Sequence, residues 1–290
     1  HWDYVTSANA SQKGKICFLH RGDVLTIPAQ LWDVTRNEEY AYTFLRQIMS
    51  LVNFTGVNNQ IMNDLDMSTH LSTTSKNVFQ TIDSDYMSPE VFVALLKHLY
   101  LMSKYIVANV YGVHDNNWGS FATSGVYSVI SRFRELYDYN NWLELTRVEN
   151  ARLFEGFALD DGTPIESTSG YINTILGTLY TPINVATSVG NSDMPFSESD
   201  IDKIRKMVTA FAYLMAPGFK SFNWGDDTSY LTTSVITRAE QFYSAVFYDR
   251  PELEFFAKGG KVGSPPAFSS IVMPDGLRSV LRTDWTDKAI

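Results

Sequence analysis

Two short stretches carry side chains that a plain helical core would not need. One is Asp115-Asn116-Asn117-Trp118-Gly119-Ser120 and the other is Asp161-Gly162-x-x-x-Glu166-Ser167-x-x-Gly170-Tyr171. An amide donates hydrogen bonds to a carboxylate without itself titrating. A phenol is an acid whose pKa falls toward a useful range beside cationic groups. Asn117 is therefore the candidate for binding a carboxylate, with Asn116 assisting or taking that role itself. Tyr171 is the candidate for moving a proton. The interval between them fits one helix, a connection and the start of another, so antiparallel helices can return both to one rim. His20, Arg21, His70 and His114 are candidate neighbours and substrate ligands, together with Trp118 and Glu166.

Each of these residues also has a plainer role. An Asn pair between helices is commonly a turn, because Asn tolerates left-handed backbone and caps locally. Trp118 is read chiefly as the anchor of its loop, and Glu166 and Asp161 as caps that fix the helix bearing Tyr171. Arg21 is expected to pair with Asp23 or a neighbour. His98, in a strongly apolar stretch, is read as structural, and Asp226-Asp227 as the cap of the next helix.

The elements that must position these groups follow from hydrophobic period and punctuation. Helices are expected over His20–Thr35, with Val24, Ile27, Leu31 and Val34 as the apolar stripe and Pro28 kinking it or starting it late, and over Glu38–Val52, with Tyr40, Phe44, Ile48 and Leu51 on one face. Leu65–Ile82 is the third. Ser88-Pro89-Glu90, a capping serine followed by a first-position proline, starts a helix to Val110 that Gly112 stops. Asp115–Gly119 is expected as a connection between helices. Ser120–Leu136 and Trp142–Leu159 form the next hairpin, and Asp160-Asp161-Gly162 turns the chain into Ser167–Ala186. Ser197-x-x-Asp200 resembles a capping box for Asp200–Met215. Thr228–Tyr248 and the short Glu252–Phe256 complete the helices. After a Gly- and Pro-rich linker, Ser269–Val272 and Leu277–Thr283 alternate about the turn Pro274-Asp275-Gly276 and read as a β-hairpin. The expectation is an all-α domain over residues 1–262, an incomplete α/α toroid of antiparallel helical hairpins. Residues 263–290 are then a linker and the first strands of a C-terminal β-sandwich that is mostly missing.

Composition narrows the classes. The chain has 290 residues, a net charge of −9 and 44% hydrophobic residues, enough for a substantial core. Sixteen Tyr, six Trp and eighteen Phe suit both a helical core and sugar-stacking platforms. The acidic balance argues against nucleic acid, and 23 Lys and Arg favour a sparsely sulfated polyanion over a highly sulfated one. One Cys excludes an internal disulfide framework. Five dispersed His residues form no metal-ligand run, so no cofactor is expected from this chain. No apolar run is read as long enough to span a bilayer. His1 is not an initiator Met and Ile290 ends abruptly, so the chain is read as a processed or excised piece.

In order along the chain, several motifs resemble those of heparinase II/III-type polysaccharide lyases, heparinase III-like members above all. The run from Phe18 to Ile48 resembles that family's early helical hairpin, and Leu65-Asp66-Met67-Ser68-Thr69-His70-Leu71 its next helix. Asn117-Trp118 resembles its Asn-Trp site. Phe133-Arg134-Glu135-Leu136 followed by Trp142 is similar to its Pro-Glu-Phe element. Asp161-Gly162, Glu166-Ser167 and Tyr171 resemble its D-G-x-x-x-E-x-S-x-x-Y segment. Asn223-Trp224-Gly225-Asp226-Asp227 and Pro274-Asp275-Gly276-Leu277 with Leu281–Trp285 complete the series. The sequence departs from the family at Ile172, where His is frequent, at His70, where Arg is common, and at Arg134, which replaces a Pro.

The resemblance implies a toroid followed by antiparallel β-sheets, with the cleft between them. It implies an acidic polysaccharide substrate, a periplasmic or secreted bacterial enzyme, and a catalytic His from the β-sandwich. No His follows His114, so that residue is expected beyond Ile290. Any structural divalent cation is likewise expected only in the missing β domain. The chemistry implied is β-elimination from a uronate. The C5 proton is scarcely acidic while the adjacent carboxylate is ionised, so charge building on that carboxylate must be stabilised. A base removes the proton and an acid protonates the departing C4 oxygen. Asn117 suits the first task and Tyr171 the last. The alternatives are an alginate or other uronate lyase of the same fold, a toroid glycoside hydrolase using two of Asp115, Asp161, Glu166 and Asp226, and a non-catalytic glycan-binding domain.

Overall fold

In the computed structural model, the residues described are 20–55, 62–166, 168–215, 218–219 and 234–286. The expectations for residues 1–19, Asn58-Asn59, Asn223–Asp227 and the start of the helix expected from Thr228 lie outside them. Among the described residues there are ten α-helices: α1 Thr26–Thr35, α2 Glu38–Thr55, α3 Asp64–Gln80, α4 Pro89–Asn109, α5 Asn117–Arg132, α6 Tyr139–Phe157, α7 Ser169–Ser188, α8 Glu198–Tyr213, α9 Ser234–Ala245 and α10 Pro251–Ala257. Strands β1 (Ile271–Met273) and β2 (Arg278–Val280) follow. The chain divides into two compact units, His1–His114 with Phe121–Thr146, and Asp115–Ser120 with Arg147–Ile290. The hairpin therefore groups with the later helices.

In the first unit, α1 packs on α2 and α3, and α4 packs on α2 and α3. Arg36 ends α1 in a left-handed conformation, φ 54°, and its N–H returns to the carbonyl of Trp32. Pro28 falls in the first turn of α1, where its missing N–H has no helical partner to lose. The expected stripe of α1 is corrected. Leu25, Ala29 and Trp32 are buried, whereas Val24, Ile27, Leu31 and Val34 are exposed, Val34 by 84%. Both sets have helical spacing, and the set containing Trp32 has the larger apolar side chain to remove from water. Trp32 Nε1 also donates to Glu38 across the turn. On α2 the expected face holds, with Phe44, Ile48 and Leu51 fully buried.

Ser88 caps α4 by accepting from the Val91 N–H, with Pro89 in its first turn. Leu95, Leu99 and Ile106 form its buried stripe. By length and composition alone α4 is long and apolar enough to cross a bilayer. That corrects the expectation that no run is long enough. Gly125, in α5, lets α3 approach closely: a Cβ there would lie 2.4 Å from the Ser68 carbonyl oxygen.

In the second unit, α7 packs on α8 and α9, and α9 also on α8 and α10. Ile172, Leu176, Leu179 and Ile183 of α7 meet Met207 and Phe211 of α8, Phe242 of α9 and Phe256 of α10 in one core. The Ser197–Asp200 capping box forms as expected. Strands β1 and β2 pair antiparallel, Ile271 opposite Val280 and Met273 opposite Arg278, and the Met273 side chain joins the helical core.

Candidate functional site

The segment before α5 folds through its own side chains. Asn116 Oδ1 accepts from the Trp118 N–H at 3.0 Å, and the Asn116 carbonyl accepts from Gly119 N–H at 3.0 Å. Asn116 thus satisfies amides that every helix start leaves without partners. In consequence Asn117 and Trp118 lie in the first turn of α5, not in a connection as expected. The Asn117 N–H points to Glu166 Oε2 at 3.4 Å. A carboxylate at this end of a helix is favoured by the helix dipole. The Asn117 carbonyl accepts from Ser120 Oγ at 2.8 Å, and that hydroxyl lies 2.8 Å from Thr178 Oγ1 on α7.

Tyr171 sits in the first turn of α7. Thr168 is the N-cap and its hydroxyl accepts from the Tyr171 N–H. Glu166 reaches α5; the expected capping by Asp161 is corrected, since Asp161 accepts from the backbone N–H groups of Thr163 and Gly276, each at 2.9 Å. Thr178 lies two turns after Tyr171, on the same face of α7. Two contacts therefore bind the start of α5 to the segment carrying Tyr171, one from Glu166 and one through Ser120 and Thr178. Tyr171 is 40% exposed and Asn117 7% exposed. Neither the phenol hydroxyl nor the Asn117 side-chain amide has a hydrogen-bond partner among the described residues.

A further support is Arg152, which the sequence reading did not single out. It binds both oxygens of Glu149, at 2.8 and 2.9 Å, and also Asp115. These carboxylates raise its pKa, the hydrogen bonds it donates to Glu149 most. The run leading into Asn117 is thereby tied to α6. Its only sequence signal is the spacing of Glu149 and Arg152, neighbours on a helix face.

The remaining candidates belong to the first unit. Arg21 pairs with the buried Asp66 at 2.7 Å, and His114 Nε2 lies 2.9 Å from Asp64. Both partners are in the first turn of α3. His20 and His70 are fully buried, which corrects their expected role as ligands facing the substrate. His70 Nδ1 donates to the His20 carbonyl at 2.8 Å, so its Nε2 accepts from His98 Nε2, 3.0 Å away. Burial, helped by charge repulsion from His98 and His20 and opposed by the carbonyl bond, lowers the His70 pKa to about 3. Burial lowers His98 to about 4. These rings are neutral packing groups, as expected for His98. Among the described residues no cluster of His, Cys, Asp and Glu could hold a metal.

The family model for the heparinase II/III N-terminus matches residues 2–255. The chain belongs to the heparinase II/III family. No curated protein sequence matches it. Its fold is similar over its whole length to the heparan sulfate lyase HepC from Pedobacter heparinus, with a TM-score of 0.76 and 17% identity, and to a heparinase III gene product, with a TM-score of 0.81 and 17% identity. Another solved heparinase III matches 93% of the chain with a TM-score of 0.75 and 17% identity. The chain spans 45%, 48% and 43% of those three structures. The expected all-α fold, the helical toroid portion of the heparinase II/III family, is thus met.

Proposed function

We propose that this chain is the helical part of a lyase that cleaves a uronic-acid-containing glycosaminoglycan, of the heparan sulfate kind, by β-elimination. The observation that carries the reading is the pairing of two unengaged groups, the Asn117 amide and the Tyr171 hydroxyl, on helix starts joined by Glu166 and by Ser120 and Thr178. In this reading the Asn117 amide donates to the substrate carboxylate and stabilises the charge that grows there as the C5 proton leaves. Tyr171 gives its proton to the departing C4 oxygen. The base is a histidine from outside these residues, as the family resemblance implies. Membership of the heparinase II/III family and the fold shared with a heparan sulfate lyase support the substrate class. A periplasmic or secreted location belongs to the same proposal.

A hydrolase is less well supported. It needs two carboxylates free to flank a glycosidic bond, yet Asp161 is held by backbone amides, Asp115 by Arg152 and Glu166 by the Asn117 N–H, while Asp226 lies outside the described residues. The test is ultraviolet absorbance of the intact parent protein on heparan sulfate, heparin, hyaluronan, chondroitin sulfate and alginate. Rising absorbance, lost in Tyr171→Phe while binding is kept, is expected. New reducing ends without absorbance would replace elimination by hydrolysis.

A further inference from the structure

The first unit, which holds neither Asn117 nor Tyr171, carries an open groove of about 490 Å³ along α2. Its walls bear two tyrosines, Tyr42 on α2 and Tyr86 just before α4. Their ring centroids are 5.0 Å apart at an angle of 51°, and they are 45% and 50% exposed. The Arg46 guanidinium lies 5.9 Å from the centre of the Tyr42 ring. Arg46 makes no ion pair among the described residues, and it is the one charged side chain lining the groove there. Of the carboxylates on these elements, Glu38 accepts from Trp32 and Ser84, and Glu90 from Ser88. In a chain of net charge −9, this places a guanidinium without a carboxylate partner beside two half-exposed rings. The rings offer apolar faces to the C–H side of a sugar, with a hydroxyl at each edge. The guanidinium fork matches a carboxylate or sulfate, and Asn53 adds an amide on the same wall.

We propose that this groove is a binding subsite for an acidic oligosaccharide, one sugar on the Tyr42–Tyr86 pair and its anionic group on Arg46. The choice of an acidic ligand rests in part on the lyase reading. The subsite would hold a polymer segment while another is processed, raising the local concentration of cleavable chain.

The experiment is a titration of the full chain carrying Tyr171→Phe with an unsulfated tetrasaccharide of alternating uronate and hexosamine, followed through the ring resonances of labelled tyrosine. Shifts at Tyr42 and Tyr86 are expected, with an affinity that falls as salt rises. Arg46→Gln should weaken binding about tenfold and flatten the salt dependence. Tyr42→Ala, at an exposed position, should abolish the shift of the Tyr86 ring while the helical circular dichroism stays. Unshifted rings, undiminished binding in Arg46→Gln, or equal binding of a neutral chitin tetrasaccharide would overturn the proposal. Elimination by the parent protein, measured separately, keeps the two readings apart. Elimination with a silent groove removes the subsite alone, whereas ring shifts without elimination uphold the subsite and remove the lyase.

Discussion

The hydroxyl of Ser120 lies 2.8 Å from the hydroxyl of Thr178, and this contact joins the first turn of α5 to the face of α7 that carries Tyr171. Each hydroxyl also reaches a backbone carbonyl of its own helix, Ser120 that of Asn117 and Thr178 that of Ile175. Two protons serve three contacts, so one is unmade at any moment. Thr178→Val keeps the shape and removes the pair. We expect a stability loss of about 1 kcal/mol and, in the parent protein, a kcat lower by roughly tenfold or more with KM little changed, because positioning is lost rather than binding. Equal kcat in the variant would show that the contact does not hold the site.

Asn117 separates charge stabilisation from packing. Its side-chain amide supports no other described group, so Asn117→Ala should leave the melting temperature nearly unchanged. In the parent protein kcat should fall by about 10² to 10³, the effect of removing one donor from a developing anion. Asn117→Asp should be worse than Ala, because it sets a second carboxylate beside Glu166 and against the substrate's own. An Asp variant more active than the Ala variant would mean that Asn117 does not face the uronate carboxylate.

Three histidines, His20 and His70 buried and His98 partly buried, give the first unit a pH dependence. His70 titrates at about 3 and His98 at about 4 when folded. Burial lowers His20 as well, against the attraction of Asp66. In the unfolded chain all three take up protons near 6.5. Between about pH 6.5 and 3 the unfolded state therefore binds more protons. Stability is full above that window and falls as the pH drops through it. Chemical denaturation at pH 7.5 and 5.0 should show the decrease, and His98→Gln should reduce its slope. A slope unchanged in that variant would mean that His98 is already protonated in the fold.

Local punctuation was legible in the sequence, while distant partners were not. Ser88 with Pro89, Ser197 with Asp200 and the turn at Pro274-Asp275-Gly276 each act within four residues, and each formed as expected. The start of α5 was misplaced because Asn116 and Asn117 look alike in sequence, while only one of them caps. The stripe of α1 was misplaced because two apolar sets share helical spacing, and size and packing partners decide between them. Which histidines are buried depends on contacts such as that of His70 with His20 and His98, 50 and 28 residues away. The same holds for the 49 residues between Glu166 and Asn117.

Asp161 shows what such a distant partner does for the β-hairpin. Strands of three residues are too short to stand alone, so β1 and β2 depend on what holds their turn. Asp161 accepts from Gly276 N–H in that turn and from Thr163 N–H beside it. A Cβ at Gly276 would come within 2.5 Å of the Thr163 side chain, so the turn is seated closely. Burial pushes the Asp161 carboxyl up, but the N–H groups of Gly276, Thr163 and Asp275 outweigh it and hold it below the usual carboxylate range. Its contribution is therefore present above about pH 4 and lost as the pH falls through the lowered value. In Asp161→Ala the amide hydrogens of residues 271–280 should exchange about 10 to 100 times faster, the equivalent of roughly 1–3 kcal/mol. Those of the buried face of α7 should keep their protection. Unchanged exchange in the hairpin would mean that the Met273 side chain, packed in the helical core, holds it without the carboxylate.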